Sequence, residues 1–386
     1  MTAVTPHDTA PADLLPHGQY VGAGYADGAW GQSTDTKRPA GGLSGTLRRF
    51  KKADRASDQP QAFGWIKATY SDAIEYSGMK QTTEGGIMVA AFFGVMTGGG
   101  GFAAGWFLLL TSTELFDTLF ALAWIAIAAA VWSWLTLKPL RHVWRTPRDL
   151  PIIFDRNQRK VYRLLQDVQP GLKGLFKPWP IKAVTYEWDL LDAEHDAQVM
   201  GSTATVTRLH RLVFVVRKSA TDPTIIDHFE VGNAMAQGED MVTPMWEHIR
   251  RFMEEGGPHL PSPGESLDGR TEGHITWWEA CGEAGPFGSR YGWWWRNHPF
   301  MTLFVYHGLV LIGVGMFLLP LILHGTFGGV FALMAVWIAL SINWGMGTGK
   351  WLLANTSVQV NWPQAVVDAV GRTIRIGPGW GRNGSC

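Results

Sequence analysis

One stretch of the sequence, Gly345-Met-Gly-Thr-Gly-Lys350, is similar to the end of a phosphate-binding P-loop. A P-loop needs glycines so that backbone N–H groups can surround the phosphates, and it needs a Ser or Thr after the lysine to bind magnesium. Here Trp344 stands where the pattern requires glycine, and Trp351 replaces the hydroxyl residue. We therefore expect no nucleotide site at this stretch.

A second group of residues with chemical potential combines acidic side chains and a histidine. It consists of Asp189, Asp192, Glu194, His195 and Asp196. Carboxylates beside an imidazole could act as general acid and base or could bind a metal ion. Their spacing matches no metal or hydrolase pattern, and the segment is predicted to be a loop between strands. A solvated turn is therefore the favoured interpretation.

Other catalytic and metal-binding patterns do not occur in the chain. Cys281 and Cys386 form neither a CxxC motif nor a Cys/His cluster, so they indicate no disulfide framework and no zinc site. HExxH, GxSxG and calcium-loop patterns are also missing. We predict a protein that is not an enzyme and that has no catalytic residues, no cofactor and no metal.

Two long stretches lack lysine and arginine, one between Lys80 and Lys138 and one between Arg296 and Lys350. A membrane-spanning helix needs about 20 apolar residues, and a charged residue at its centre costs roughly 2.5 to 3.5 kcal/mol. Each stretch has room for two such helices. The predicted spans are residues 87–110, 118–137, 300–323 and 327–346. The sequence thus predicts four transmembrane helices arranged as two hairpins.

Few polar side chains fall within these predicted spans. His307 lies in the third span and Asn343 lies near the end of the fourth. An intramembrane histidine can relay protons, but it is more often a hydrogen-bonded packing residue, and transporters usually need more polar groups. The run Gly98 to Gly101 favours close helix approach or a kink over an unwound ion site, and the sequence leaves its role open.

The orientation of the chain follows from its basic residues. Lysines and arginines flank the predicted spans but are missing from the two short connectors within the hairpins. By the positive-inside rule, both termini and the central region are expected in the cytoplasm. Many of the 20 tryptophans, including Trp293 to Trp295, lie near predicted span ends and are expected to contact membrane lipid.

The remaining segments predict smaller units. Residues 1–60 have the composition of a flexible cytoplasmic arm, and residues 61–80 predict an amphipathic surface helix. Residues 150–258 predict a small antiparallel β domain closed by a C-terminal helix, with an element order similar to that of pleckstrin-homology domains. The other expected parts are transmembrane hairpins at 87–137 and 300–346, a linker with an aromatic interfacial segment at 259–298, and a cytoplasmic tail at 350–386.

The predicted closing helix, Met245 to Glu255, places three large apolar side chains on one face. These are Trp246, Ile249 and Phe252. They are candidates either for packing against the sheet or for binding a partner. The predicted fold class is therefore an α+β membrane protein, with two helical hairpins flanking the small β domain.

Two segments resemble a family of uncharacterised proteobacterial inner-membrane proteins that is defined by a domain of unknown function. They are Pro151-Ile-Ile-Phe-Asp-Arg-Asn-Gln-Arg-Lys-Val-Tyr162 and Trp246-Glu-His-Ile-Arg-Arg-Phe-Met-Glu-Glu-Gly-Gly-Pro258, and the resemblance extends over residues 60–350. Genes of that family often stand near type VI secretion effector clusters. The resemblance implies a multi-pass protein of the bacterial inner membrane that acts as an immunity or accessory protein and binds a toxin or a secretion component.

The leading functional prediction is a non-enzymatic, membrane-anchored binding protein. A small transporter or channel is the alternative, and a membrane-associated enzyme is the second alternative. The formal net charge of zero gives no reason to expect nucleic acid as a partner. The oligomeric state is not predicted.

Overall fold

The computed structural model divides the chain into two compact units. The first comprises residues 1–6, 81–148 and 273–358, and the second comprises residues 7–80, 149–272 and 359–386. Within them the structure describes residues 11, 13–22, 45–78, 105–143, 146–147, 149–167, 174, 177, 179–201, 206–232, 238–257, 275–284, 291–302, 345–358 and 360–376.

The described strands all belong to the second unit. They are β1 (Leu14–Leu15), β2 (Gly45–Phe50), β3 (Ile66–Tyr70), β4 (Ala73–Tyr76), β5 (Ile152–Asp155), β6 (Lys160–Gln166), β7 (Ile181–Glu187), β8 (Leu191–Gly201), β9 (Val206–Arg217), β10 (Ile225–Val231) and β11 (Thr373–Ile376). The described helices are α1 (Leu115–Val143), α2 (Glu239–Glu255), α3 (Trp277–Ala284), α4 (Tyr291–Asn297), α5 (Pro299–Thr302) and α6 (Gln364–Val370).

The strands form two sheets. The first has seven strands in the order β1-β7-β6-β5-β4-β3-β11, and the second has four in the order β10-β9-β8-β2. The pairing of β1 with β7 is parallel, and all other pairings are antiparallel. The first sheet therefore joins segments from near both ends of the chain to its central region.

Aromatic side chains fill the space between the two sheets and α2. The ring of Trp246, on α2, stacks on Phe50 at 5.6 Å and on Trp188 at 6.0 Å. Phe154 from the first sheet meets Phe214 from the second at 5.5 Å. These residues are buried because both sheets turn their β-branched and aromatic faces inward, which removes a large apolar area from water.

The outer face of the first sheet is also covered. Val366 and Val370 of α6 bury against Ile153 and Tyr162, so β5 is buried on both sides. Just before α6, the indole nitrogen of Trp362 donates to Glu75 on β4 at 3.3 Å. The segment predicted as a tail at 350–386 thus contributes α6 and β11 to the second unit.

The helix α2 begins at Glu239, earlier than the expected Met245, and ends at Gly256, whose φ of 78° is left-handed. That conformation favours glycine and allows the chain to leave the helix sharply. On α2, the buried carboxylate of Glu247 accepts hydrogen bonds from Arg250 and Arg251, each at 2.7 Å. These bonds hold the pKa of Glu247 at about 2 against the opposing effect of burial.

In the first unit, α1 packs against helical residues 105–111. A Cβ atom at Gly105 would lie 2.7 Å from Ile125 and 2.8 Å from Trp124, so only glycine permits this approach. Ala121, one turn before Ile125 on α1, is also fully buried. Helical residues 345–356 make a similar close contact with α3, where a Cβ at Gly347 would come within 2.5 Å of the Cα of Cys281.

The predicted fold class is wrong. The described residues form a mixed α+β fold with two large sheets, and they include one helix, α1, that is long and apolar enough to cross a membrane, not four. The other three predicted spans, 87–110, 300–323 and 327–346, lie mostly outside the described residues. The predicted β domain is too small, because its sheets also contain strands from segments outside residues 150–258.

The amphipathic helix predicted at residues 61–80 is also wrong, because β3 and β4 form a hairpin there. Ile66 and Ile74 are both fully buried, one on each strand. The turn at Ser71 and Asp72 falls between them, so their spacing imitates a helical period although they lie on two different strands. Likewise, β2 lies within the arm predicted at 1–60.

We predict that Trp246→Ala lowers the free energy of unfolding of the second unit by about 3 to 5 kcal/mol, because it leaves a large cavity in the aromatic core. Urea unfolding followed by circular dichroism in detergent measures the change. Val367→Ala is the control, since Val367 is exposed on α6, and it should shift stability by less than about 0.5 kcal/mol. Equal effects of both variants would contradict the central role of Trp246.

We also predict that the Cys281 thiol reacts slowly with iodoacetamide at pH 8 in the Cys386→Ser background. Cys281 is buried, and burial raises the pKa of its thiol to about 12, so little thiolate forms. Gly347→Ala should force α3 and helical residues 345–356 apart and accelerate alkylation at least tenfold. Gly257→Ala, which has open space around its Cβ position, is the control. Rapid alkylation of the parent protein would contradict this packing.

Candidate functional site

The structure assigns the three candidate residues of α2 to the core. Trp246, Ile249 and Phe252 are each fully buried between the sheets, so they stabilise the fold and do not form a surface for a partner. The two candidate intramembrane polar residues, His307 and Asn343, lie outside the described residues.

The acidic group at residues 189–196 lies mostly on β8, not in a solvated turn as predicted. Each of its carboxylates is paired with an arginine: Asp189 with Arg159, Asp192 with Arg217, Glu194 with Arg49, and Asp196 with Arg211. In the part of the chain that the structure describes, no group of three His, Cys, Asp or Glu side chains could hold a metal ion. This group therefore ties strands together.

The neighbouring His195 points the opposite way, because successive side chains of a strand alternate between its faces. Its Nε2 lies 2.9 Å from Nδ1 of His210, and both rings are buried. Burial lowers the pKa of His195, and the nearby His210 lowers it further. The neutral imidazole is therefore the stable form, and the two rings share one hydrogen bond between β8 and β9.

A second polar cluster surrounds Trp188. The Lys52 ammonium lies 4.6 Å from the centre of the Trp188 ring and donates to its carbonyl oxygen. Burial lowers the pKa of Lys52 to about 8, an effect that Asp189 opposes. The indole nitrogen of Trp188 donates to Glu254 of α2 at 2.6 Å. These bonds hold β2, Trp188 and α2 together, which is a structural role.

An arrangement suited to recognition lies where the two sheets meet at β7 and β10. We call the gap between these strands the seam and residues 13–22 the N-terminal segment, because the segment lies along the seam. Leu14 and Leu15 pair in parallel with Ala183 and Val184 of β7. At the other end, the N–H of Gly22 donates to the carbonyl oxygen of Ile226 on β10 at 2.8 Å. The segment is thus bonded to both sheets.

The imidazole of His17 makes the most specific contacts of the N-terminal segment. Its Nε2–H lies 2.9 Å from the carbonyl oxygen of Arg217 and 3.2 Å from that of Lys218, while Nδ1 accepts from the N–H of Glu187 at 3.2 Å. Carbonyl oxygens only accept and a backbone N–H only donates, so these partners assign the neutral ring with its hydrogen on Nε2. A side chain that donates at one end and accepts at the other is required at this position.

Polar groups of the sheets form the wall behind the segment. The Asp227 carboxylate of β10 accepts from the Tyr186 hydroxyl of β7 at 2.5 Å and from Arg163 of β6 at 2.7 Å. Burial and Asp227 together raise the pKa of Tyr186 and that of Tyr20 in the segment. Both phenols therefore stay protonated, and the wall offers a fixed arrangement of donors and acceptors.

The seam binds an extended chain by backbone pairing, apolar contact and one imidazole. Leu15 and Tyr20 of the segment pack against the aromatic core, and Leu14 packs against the outer cluster under α6. Strand addition of this kind is a common way of recognising peptides. Sequence reasoning missed it, although the apolar pair Leu14-Leu15 before Pro16 stands out in a polar arm.

Comparison with known proteins places part of this arrangement within a family. No curated protein and no solved structure matches the chain. The model of a family of unknown function, DUF6708, matches residues 129–373, which contain both walls of the seam but not the N-terminal segment. The match covers more than half of the sequence, and the chain therefore belongs to the DUF6708 family of unknown function.

Proposed function

We propose that this chain is a non-enzymatic, membrane-anchored binding protein whose second unit, called the β unit because it contains the described strands, engages a protein partner. The observation that carries the proposal is the contrast between two parts of the chain. The apolar side chains of α1 are exposed, whereas those of the two sheets are packed into a closed core.

The surface of α1 is suited to lipid and not to water. Its stretch Leu115–Trp134 is apolar, and 6% of the most apolar part of this stretch is buried. Large side chains such as Phe116 and Ile127 are 75% and 62% exposed. A helix that is hydrophobic all round belongs inside a protein core or a bilayer, and 20 residues span about 30 Å, the thickness of the hydrocarbon region. The described neighbours of α1 do not bury it, so we assign it to the bilayer.

The ends of this stretch support the same assignment. Glu114 and Asp117 lie at its start, where a polar connector joins it to helical residues 105–111. Trp132 and Trp134 lie near its other end, and tryptophan favours the boundary between lipid and water. The polar start and the aromatic end therefore fit the two ends of a helix that crosses a bilayer.

Binding is favoured over catalysis by the state of the polar groups in the β unit. The carboxylates at residues 189–196 are held by arginines, and Lys52 is held by Trp188. Groups engaged in this way are poorly placed to transfer protons to a substrate. The seam, in contrast, already binds an extended chain through backbone and side-chain contacts.

The nature of the partner follows from the family resemblance described above. Genes of the family that the chain resembles often stand near type VI secretion effector clusters, so we propose a secreted toxin or a secretion component as partner. The proposed role is that of an immunity or accessory protein at the bacterial inner membrane. In this arrangement the β unit lies in the cytoplasm, where a toxin that has entered the cell can be bound.

We predict that a cysteine at Thr113, in the connector before α1, reacts with a membrane-impermeant maleimide in intact cells. One at Ser219, in the β unit, should react only after lysis, because α1 separates the two positions across the bilayer. Both are introduced by Thr113→Cys and Ser219→Cys into a chain carrying Cys281→Ser and Cys386→Ser.

The control for this labelling is Ile127→Cys, which should stay unlabelled in both conditions because the centre of α1 excludes water. Labelling of Ile127→Cys at the rate of Ser219→Cys after lysis would place α1 in water and contradict the proposed anchor. Labelling of Ser219→Cys alone in intact cells would reverse the proposed orientation.

A further inference from the structure

We propose that the seam is an acceptor for an extended segment of a protein partner, and that the N-terminal segment occupies it in cis as an exchangeable ligand. This inference rests on the proposed binding function and names the site and the chemistry of the partner. The partner segment would present two adjacent apolar residues, a side chain that both donates and accepts hydrogen bonds, and an aromatic residue, as Leu14, Leu15, His17 and Tyr20 do here.

The walls of the seam are held together without the segment. Asp227 on β10 binds Tyr186 on β7 and Arg163 on β6, and these bonds cross from one sheet to the other. The ring of Tyr186 also stacks on Phe229 of β10 at 5.9 Å. An acceptor that is already organised loses less entropy when it binds a peptide, which favours affinity.

The segment pairs with these walls at few backbone positions. Its parallel pairing with β7 comprises two residues, and the chain then turns through Gly18, whose φ is 83°. Leu15 and Tyr20 reach the edge of the core but are only partly buried, whereas the residues of the aromatic core are buried. Departure of the segment would expose backbone groups of β7 and β10, and such edges readily pair with another strand.

The connection to the rest of the chain permits this exchange. Residues 23–44 separate the segment from β2, and at about 3.3 Å per residue they could extend to roughly 70 Å. The walls also lie within the matched DUF6708 region, while the segment lies outside it. The seam thus belongs to the matched family domain, and the N-terminal segment that occupies the seam precedes this domain in the chain.

The test uses the full chain in detergent with a protease site inserted between Gln32 and Ser33. After cleavage, the N-terminal fragment should remain bound, and an excess of a fluorescent synthetic peptide of residues 11–22 should displace it. The peptide should bind the uncleaved chain at least tenfold more weakly than the cleaved chain, because a tethered ligand competes at high effective concentration. Fluorescence anisotropy measures both affinities.

Two peptide variants test the specificity of the seam. The peptide with His17→Ala should bind at least tenfold more weakly, since the Nε2–H donor shared by the carbonyl oxygens of Arg217 and Lys218 and the acceptor of the Glu187 N–H are lost. The peptide with Gln19→Ala is the matched control and should bind within twofold of the parent peptide, because Gln19 is exposed. Equal binding of all three peptides would overturn the proposal.

Other outcomes are equally decisive. Unfolding of the cleaved chain once the fragment leaves, seen by circular dichroism, would make the segment an integral strand and overturn exchange. A dimer of the uncleaved chain that excess peptide dissociates would assign the occupant to a second copy and overturn occupancy in cis. The peptide experiments need no membrane, so their failure is distinguishable from a failure of the anchor, which the maleimide labelling reports.

Discussion

The packing of Trp188 against Trp246 is the contact on which the rest of the β unit depends. Trp188 lies in the short turn, Trp188–Leu190, where the chain passes from β7 of the first sheet to β8 of the second. Its ring stacks on Trp246 of α2, and its indole nitrogen donates to Glu254 of the same helix. One residue thereby joins both sheets and the helix that closes them, so the orientation of each element depends on the others.

The same closure determines where binding can occur. Once aromatic rings fill the space between the sheets, an apolar ligand cannot enter the interior, because close-packed cores leave few voids. The seam lies instead where β10, at the edge of the second sheet, meets β7 of the first. The edge at β7 and β10 differs from an ordinary sheet edge, since Asp227, Tyr186 and Arg163 fasten its two walls together. In the proposed exchange, these bonds keep the structure beneath the segment intact.

The β unit and α1 differ in how their charged and apolar side chains are accommodated. In the β unit, buried charges such as Glu247 are neutralised by adjacent arginines, as required when charge leaves water. In α1, the exposed surface consists of apolar side chains, which only lipid accommodates at low cost. In the proposed function, α1 holds the chain at a membrane and the seam provides the binding site.

The features that the sequence determined by itself are those encoded over short distances. The apolar run of α1 can be recognised in the sequence because its apolar residues follow one another. The inward face of α2 can be recognised because Trp246, Ile249 and Phe252 recur at helical spacing. The hairpin of β5 and β6 is equally local, with its turn at residues 156–159.

Only the tertiary structure decided the seam, the pairing of β11 with β3, and the roles of the acidic residues on β8. His17 forms a hydrogen bond with Arg217, and Tyr76 forms one with His248, although the residues of each pair are far apart in the sequence. The sequence shows no periodic pattern for such pairs, because hydrogen bonds between distant segments depend on the sheets that bring these segments together. The sequence predicts a helix where β3 and β4 form a hairpin for the same reason. Ile66 and Ile74 are buried because the opposing sheet covers them, and their spacing in the sequence does not record this.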